Sequence, residues 1–157
     1  MPTTIEVNKQ SVEALLGSGK TKPIVIPEYQ RPYAWTSEQV ETLFEDLWEF
    51  TTTSGGTERD GSYFLGSIVS YENENGEQEI IDGQQRITSL FLLLRAIYTK
   101  LISTSESERT PEAVNFIGKI EPSIWRINKL TGKVDYKNIL LTSRVVNNEE
   151  MRFLEIF

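Results

Sequence analysis

The sequence predicts an α/β domain built of short strands and helices. Three observations support this fold class. Short β-branched segments are bounded by turn residues and form no repeat. Two long helical patterns lie between them, and one is apolar on most sides, as in a buried helix. The 157 residues, 38% hydrophobic and 25% charged, have the size and composition of one globular domain.

The first elements are short. The pattern predicts a helix over Ser11–Leu16 that ends at Gly17-Ser18-Gly19. Lys22–Pro27 is a β-branched run between two prolines, which is typical of a short strand with an irregular exit. A loop rich in aromatic and hydrogen-bonding side chains then spans Glu28–Trp35.

The next helix has the clearest start signal in the chain. Thr36 and Gln39 fit a capping box, with Thr36 as N-cap and Gln39 three residues later. The spacing predicts a helix over Ser37–Phe50. Its apolar stripe consists of Val40, Leu43, Phe44 and Leu47.

The central part of the chain predicts a hairpin followed by a buried helix. Tyr63–Tyr71 has a strand pattern, Asn75-Gly76 is a hairpin turn signal, and Gln78–Ile81 is the returning strand. Asp82–Arg86 joins that strand to an apolar helix over Ile87–Ile102.

The last part predicts shorter elements. Thr110-Pro111 is typical of an N-cap followed by the first residue of a helix. Two strands are expected at Ile124–Asn128 and Asn138–Thr142, and a further helix after Asn147 or Asn148. The pattern of that helix stops at the chain end, so we expect the chain to be part of a larger protein.

The absence of Cys and His excludes several chemistries. Without Cys there is no disulfide, thiol nucleophile or zinc knuckle. Without His there is no Ser-His-Asp triad and no imidazole base. Chemistry in this chain would therefore use carboxylates, Arg, Lys, hydroxyls, amides and bound Mg²⁺.

The charge distribution is uneven. The net charge of −7 argues against general coating of nucleic acid. One stretch, residues 119–144, is nevertheless basic, and it provides either a solvated surface or a patch that faces phosphates. Its basic residues are Lys119, Arg126, Lys129, Lys133, Lys137 and Arg144.

No targeting or membrane segment is visible. The N-terminus lacks a basic region followed by an apolar one, and the most apolar run, Leu90–Leu94, is far too short to span a bilayer. We expect a cytoplasmic protein with no membrane partner.

The junction between the returning strand and the buried helix carries the strongest candidate site. The free N–H groups at a helix N-terminus attract anions, and Gly83 permits close approach of a ligand. Arg86 suits phosphate, Gln84 and Gln85 can hold water, and Asp82 would face Mg²⁺. In the alternative interpretation, Asp82 caps the helix, Gly83 turns the chain and Arg86 pairs with a local acid.

The aromatic loop is a second candidate site. Tyr29 would stack on a base while Arg31 binds phosphate and Gln30 hydrogen-bonds. Alternatively, Tyr33 and Trp35 anchor the loop to the core and Arg31 pairs with the acidic helix.

Several motifs occur in series. They are Ile26-Pro27-x-Tyr29-Gln30-Arg31-x-Tyr33-x-Trp35, Phe64-Leu65-Gly66-Ser67-Ile68, Ile81-Asp82-Gly83-Gln84-Gln85-Arg86-x-Thr88-x-Leu90 and Leu140-x-x-Ser143-Arg144. From the first helix to the chain end, the sequence resembles the N-terminal domain of GmrSD-type modification-dependent restriction enzymes, the domain of unknown function 262 family.

This resemblance implies a ParB/sulfiredoxin-like α/β domain over residues 1–145, in which a mixed sheet of short strands has flanking helices. Residues 146–157 would begin a following helical region. It implies binding and Mg²⁺-dependent hydrolysis of a nucleoside triphosphate (NTP) in a bacterial antiviral defence protein. The nucleotide and catalytic residues would be Asp82, Gly83, Gln84, Gln85 and Arg86, with Thr88 adding a hydroxyl contact. Tyr29, Gln30 and Arg31 would face the same pocket or modified DNA, and Arg144 would also contact DNA.

Two departures from the relatives matter. Family members that cut DNA usually carry a C-terminal His-Asn-His-type nuclease, so this chain without His has no nuclease site. An effector domain or partner outside the chain would cut. Sulfiredoxin chemistry needs Cys and is excluded. The alternative to an NTPase is a non-catalytic module that reads the phosphate backbone or a modified base.

Overall fold

The computed structural model describes residues 9–17, 22–53, 63–128 and 130–145. Within these residues the fold contains helices and short strands, which confirms the predicted class. The helices are α1 (Val12–Gly17), α2 (Ser37–Thr53), α3 (Gln84–Ile102) and α4 (Pro111–Ile124), with a 3₁₀ turn at Glu106–Glu108. The strands are β1 (Ile24–Ile26), β2 (Val69–Glu72), β3 (Gln78–Asp82), β4 (Trp125–Ile127), β5 (Val134–Ile139) and β6 (Leu141–Ser143).

The strands form a mixed sheet and a separate pair. The order in the larger sheet is β2-β3-β1-β6, and β4 pairs with β5. β1 runs parallel to β3 and to β6, whereas β2 and β3 form the antiparallel hairpin predicted at Asn75-Gly76. The carboxyl ends of β1, β3 and β6 therefore meet at one edge, where α3 begins. Ligands commonly bind at such an edge.

The core lies where α1, α3 and α4 pack on the sheets. α3 supplies much of it, as its apolar pattern predicts. The buried residues of this cluster are Leu16, Ile24, Ile80, Ile87, Phe91, Tyr98, Ile117, Ile120, Ile124, Trp125 and Leu140.

The helix starts predicted for α2 and α4 are present. The side-chain Oε1 of Gln39 accepts a hydrogen bond from the Thr36 N–H at 2.8 Å, which is half of a capping box. Thr110 Oγ1 accepts from the Ala113 N–H at 3.3 Å, and Pro111 is the first residue of α4. Both signals act over three residues, so local sequence is enough to produce them.

The apolar stripe of α2 is only partly covered by the described residues. Leu43 and Leu47 are half-buried, but Val40 and Phe44 are exposed. Trp48 stacks on Phe44, with ring centroids 6.2 Å apart, and is itself exposed. The prediction of an amphipathic helix is confirmed, but its stripe packs less completely than the pattern suggests.

Two predicted strands have different limits. Tyr63–Ile68 is irregular because Gly66 has a φ of 101°, which is incompatible with a strand. The segment Asn138–Thr142 is divided between β5 and β6 at the buried Leu140. The Leu140 N–H donates to the Ile124 carbonyl, and its own carbonyl accepts from the Ile24 N–H, so it joins two elements. The helix predicted after residue 147 lies outside the described residues.

Candidate functional site

α3 begins three residues earlier than predicted. Gly83 is its N-cap, with a φ of 87° and no side-chain cap, so Gln84, Gln85 and Arg86 form the first turn rather than a loop. The first hydrogen bond of the helix runs from the Ile87 N–H to the Gly83 carbonyl at 3.0 Å. The N–H groups of Gln84, Gln85 and Arg86 therefore have no partner within the helix and form its positive end.

Gly83 is required by both its conformation and its surroundings. A Cβ at this position would lie 2.9 Å from the Ser67 carbonyl oxygen and 2.9 Å from Ile68 Cγ1. Such distances are much shorter than van der Waals contact. The irregular segment before β2 is thus packed directly on the turn that starts α3.

The same segment holds the side chain of Arg86. Its Nη1 donates a hydrogen bond to the Ser67 carbonyl at 3.1 Å. Gly66 leaves the space for the guanidinium, since a Cβ there would lie 2.6 Å from Arg86 Cζ. One bond uses only one of the five donors of a guanidinium. Arg86 is therefore held in place and still able to bind an anion.

The two glutamines differ in what they leave available. Gln85 uses both amide atoms: Oε1 accepts from the Ala34 N–H at 2.7 Å and Nε2 donates to the Pro32 carbonyl at 3.0 Å. Gln84 Nε2 donates to the Arg31 carbonyl at 2.9 Å. Gln84 is only 7% exposed, and its Oε1 has no hydrogen-bond partner among the described residues. Gln85 thus braces the loop, whereas Gln84 retains a buried acceptor.

The structure brings the aromatic loop and the start of α3 together. Gln30 Nε2 donates to the Ile81 carbonyl at 2.7 Å, at the end of β3. The Tyr33 hydroxyl and Ser89 Oγ form a hydrogen bond of 2.8 Å one turn into α3. Tyr33 is an anchor, as one interpretation expected. Arg31 and Asp82 are both exposed beside this junction.

Tyr29 is tied to a buried carboxylate. Its hydroxyl and that of Tyr71 each donate to Glu79 Oε1 at 2.8 Å, and Asn73 Nδ2 donates to Oε2 at 3.2 Å. The two tyrosine hydrogen bonds lower the pKa of Glu79 below its usual value. The bond to Glu79 raises the pKa of Tyr29 to about 12. The hydroxyl is occupied, and the ring of Tyr29, at 63% exposure, is the part that a ligand would meet.

Arg144 also has a local partner. Its Nη2 lies 2.7 Å from Glu77 Oε1, and the pair is partly exposed. A hydrogen bond from Asn73, followed by the bond from Arg144, lowers the pKa of Glu77. A DNA phosphate would have to compete with this carboxylate. Lys119, Lys133 and Lys137 are exposed, whereas Lys129 lies outside the described residues.

Thr88 lines a cavity that the sequence did not reveal. The cavity has a volume of about 220 Å³ and lies between α3 and the strands β1, β4, β5 and β6. On α3 its walls are Thr88, Phe91, Leu92 and Arg95. This stripe, with three- and four-residue spacing, is the sequence signal that points to it.

A protein-only metal site is not formed by the described residues, which contain no group of three or more His, Cys, Asp or Glu suited to a metal ion. Mg²⁺ in phosphate-binding sites is commonly held by one or two carboxylates together with substrate phosphates. The exposed carboxylate of Asp82, next to the N-terminus of α3, fits that shared arrangement.

Comparison with known proteins gives the family. Residues 12–156 match the family model of the GmrSD restriction endonuclease N-terminal domain, so the chain belongs to this family, as its motifs predicted. A search of curated proteins found no match. Within the residues that the structure describes, no helix has the length and apolar character to cross a membrane.

Proposed function

We propose that this domain binds an NTP through its phosphates at the N-terminus of α3 and hydrolyses it. The family makes the chain a module of a restriction or defence protein. The observation that carries the proposal is the first turn of α3. It combines N–H groups that have no partner within the helix, an arginine held by a hydrogen bond, and a buried glutamine oxygen that has no donor among the described residues.

The phosphates would be bound by fixed positive groups. The helix N-terminus offers N–H donors and a partial positive charge. The Arg86 guanidinium is already fixed by the Ser67 carbonyl, so less side-chain entropy is lost on binding. Arg31 is exposed on the loop that Gln84 and Gln85 brace against the same turn, and it would supply a second cation.

Gln84 is the better candidate for orienting the attacking water. Phosphate oxygens are acceptors and cannot satisfy Gln84 Oε1, whereas a water molecule can donate to it. Glutamine performs this task in some phosphoryl-transfer enzymes. The alternative residue, Gln85, has both amide atoms engaged by the loop.

Mg²⁺ would be held by Asp82 and the phosphates together. Bound there, it would neutralise charge on the phosphates. Because the protein supplies one carboxylate, we expect little affinity for Mg²⁺ in the absence of nucleotide.

The binding proposal is tested by calorimetric titration with Mg·ATP and Mg·GTP. Arg86→Gln removes charge-assisted hydrogen bonds, worth about 1.5–3 kcal/mol, so affinity should fall by about ten- to a hundredfold. Lys100→Gln makes the same charge change at the other end of α3 and should leave affinity within about twofold. Equal affinity of wild type and Arg86→Gln would overturn the assignment.

The hydrolysis proposal is tested by phosphate release. Gln84→Met retains the bulk of the side chain but removes the acceptor, so turnover should fall while nucleotide affinity is largely kept. Unchanged turnover in Gln84→Met would remove Gln84 from the mechanism.

A second candidate function, DNA binding without catalysis, is favoured by the exposed ring of Tyr29 beside the exposed Arg31. Binding through phosphates predicts affinity for an oligonucleotide that falls steeply with salt, with a slope of about −0.7 to −0.9 per phosphate contact. An affinity that does not change between about 50 and 200 mM salt would contradict it.

A further inference from the structure

We propose that the cavity lined by Thr88 and Arg95 binds the base of the nucleotide whose phosphates lie at the N-terminus of α3. This inference rests on the proposed function and adds the part of the ligand that the phosphate site leaves unassigned. The ligand class is a planar heteroaromatic ring with polar edges.

The cavity lies at the same edge of the sheet as the start of α3. Ile26 and Ser143, the last residues of β1 and β6, line it. These strands are parallel to β3, so the cavity reaches the same sheet edge as the start of α3. A ligand bound at this edge can contact both places.

One face of α3 runs from the proposed phosphate site to the cavity. Gln84 and Thr88 are four residues apart and so lie on one face of the helix, separated by about 6 Å along its axis. The same face continues through Leu92 to Arg95. The buried oxygen of Gln84 and the cavity therefore follow each other along a single face, with Thr88 between the proposed phosphate site and the deeper wall.

The residues that line the cavity suit a planar ring better than a phosphate or a sugar. Apolar side chains dominate and would cover the faces of a ring, whereas phosphates or a sugar would lose hydration there. The polar residues that line the cavity are few: Thr88, Arg95, Thr142 and Ser143. Hydroxyls both donate and accept, so they suit the mixed edge of a base.

Arg95 is held by aromatic neighbours. Its Cζ lies 4.6 Å from the ring centroid of Trp125 and 5.8 Å from that of Tyr98. The guanidinium is thus oriented by cation–π contacts at the cavity wall. A fixed positive charge at an apolar wall favours a ring whose edge carries electron-rich carbonyl or ring-nitrogen atoms.

The test separates the base from the phosphates by using adenosine, guanosine, inorganic triphosphate, ATP and GTP as probes in calorimetry. Leu92→Trp fills the cavity, and Leu93→Trp is the matched control because Leu93 is the next residue and does not line it. We expect at least one nucleoside to bind wild type. We also expect Leu92→Trp to weaken binding of the matching NTP at least tenfold while leaving triphosphate affinity unchanged. Leu93→Trp should match wild type with every probe.

The outcomes distinguish this inference from the phosphate proposal. If triphosphate binds but no nucleoside does, and NTP affinity is the same in wild type and Leu92→Trp, the base does not occupy the cavity. If a nucleoside binds in a manner sensitive to Leu92→Trp but triphosphate does not bind, the cavity assignment stands and the phosphate site fails. If a single-stranded oligonucleotide binds wild type but not Leu92→Trp, and no nucleoside or NTP binds either protein, the cavity does not bind a free nucleotide.

Discussion

Replacement of Gly83 by alanine tests whether the turn before α3 is built as described. Gly83 has a φ of 87°, and a left-handed conformation costs an ordinary residue about 1–2 kcal/mol. A Cβ would also meet the Ser67 carbonyl oxygen and Ile68 Cγ1 at 2.9 Å and the Ile68 Cα at 3.2 Å. Because two of these atoms belong to the backbone, the segment must move, which adds about 1–3 kcal/mol. The expected loss in the free energy of unfolding is about 2–5 kcal/mol.

Gly132→Ala provides the matched control. Gly132 also has a positive φ, of 67°, but a Cβ there meets nothing within 4 Å among the described residues. It should cost the conformational part alone, about 1–2 kcal/mol. The assay is urea unfolding followed by tryptophan fluorescence and circular dichroism. Equal destabilisation by the two variants would refute the close packing of Ser67 and Ile68 on the turn.

The remaining predictions concern stability elsewhere in the domain. Gly118 lies in the middle of α4, and a Cβ added there meets no atom within 4 Å outside its own helix backbone in the described part of the chain. Gly118→Ala should therefore raise the free energy of unfolding by about 0.5–1 kcal/mol, and a loss of stability in urea unfolding would contradict the open helix face. Gln85→Leu leaves the Ala34 N–H and the Pro32 carbonyl unpaired, so stability should fall by about 1–3 kcal/mol. Hydrogen exchange of the Ala34 amide should also accelerate, and unchanged exchange would argue against bracing by Gln85. Hydrogen bonds from Tyr29 and Tyr71 lower the pKa of Glu79. The stability that the ionised Glu79 contributes is therefore present at neutral pH. It is lost as the pH falls through that lowered pKa, from about pH 5 downward. Thermal unfolding of Glu79→Gln should therefore depend less steeply on acid pH than that of wild type, and identical slopes would contradict this.

The elements that sequence predicted well depend on interactions within a few residues. Thr36 and Gln39 start α2, Thr110 and Pro111 start α4, and the Asn75-Gly76 turn closes the hairpin with Gly76 at a φ of 73°. The apolar residues on most sides of α3 also predicted its burial, because a helix without a polar face is stable only when other elements cover it.

The parts that sequence did not reveal depend on distant contacts. The strand pattern of Tyr63–Ile68 gave no sign that Gly66 and Ser67 would surround Arg86, about twenty residues away in the chain. Gln84 and Gln85 are identical in type and both donate to the loop. Only the contacts show that Gln85 uses both amide atoms, whereas Gln84 Oε1 has no hydrogen-bond partner among the described residues. The cavity joins α3 to four strands, so only the sheet topology brings its walls together.

The most direct test of the phosphate site is amide chemical-shift mapping. Isotope-labelled protein is titrated with Mg·ATP or Mg·GTP, and backbone amide shifts are measured by nuclear magnetic resonance. If phosphates bind at the start of α3, the largest changes in amide chemical shift should occur at Gln84, Gln85 and Arg86, because their N–H groups would donate to the ligand. Saturable changes centred on the basic stretch 119–144, with the amides of Gln84–Arg86 unmoved, would contradict the proposed site.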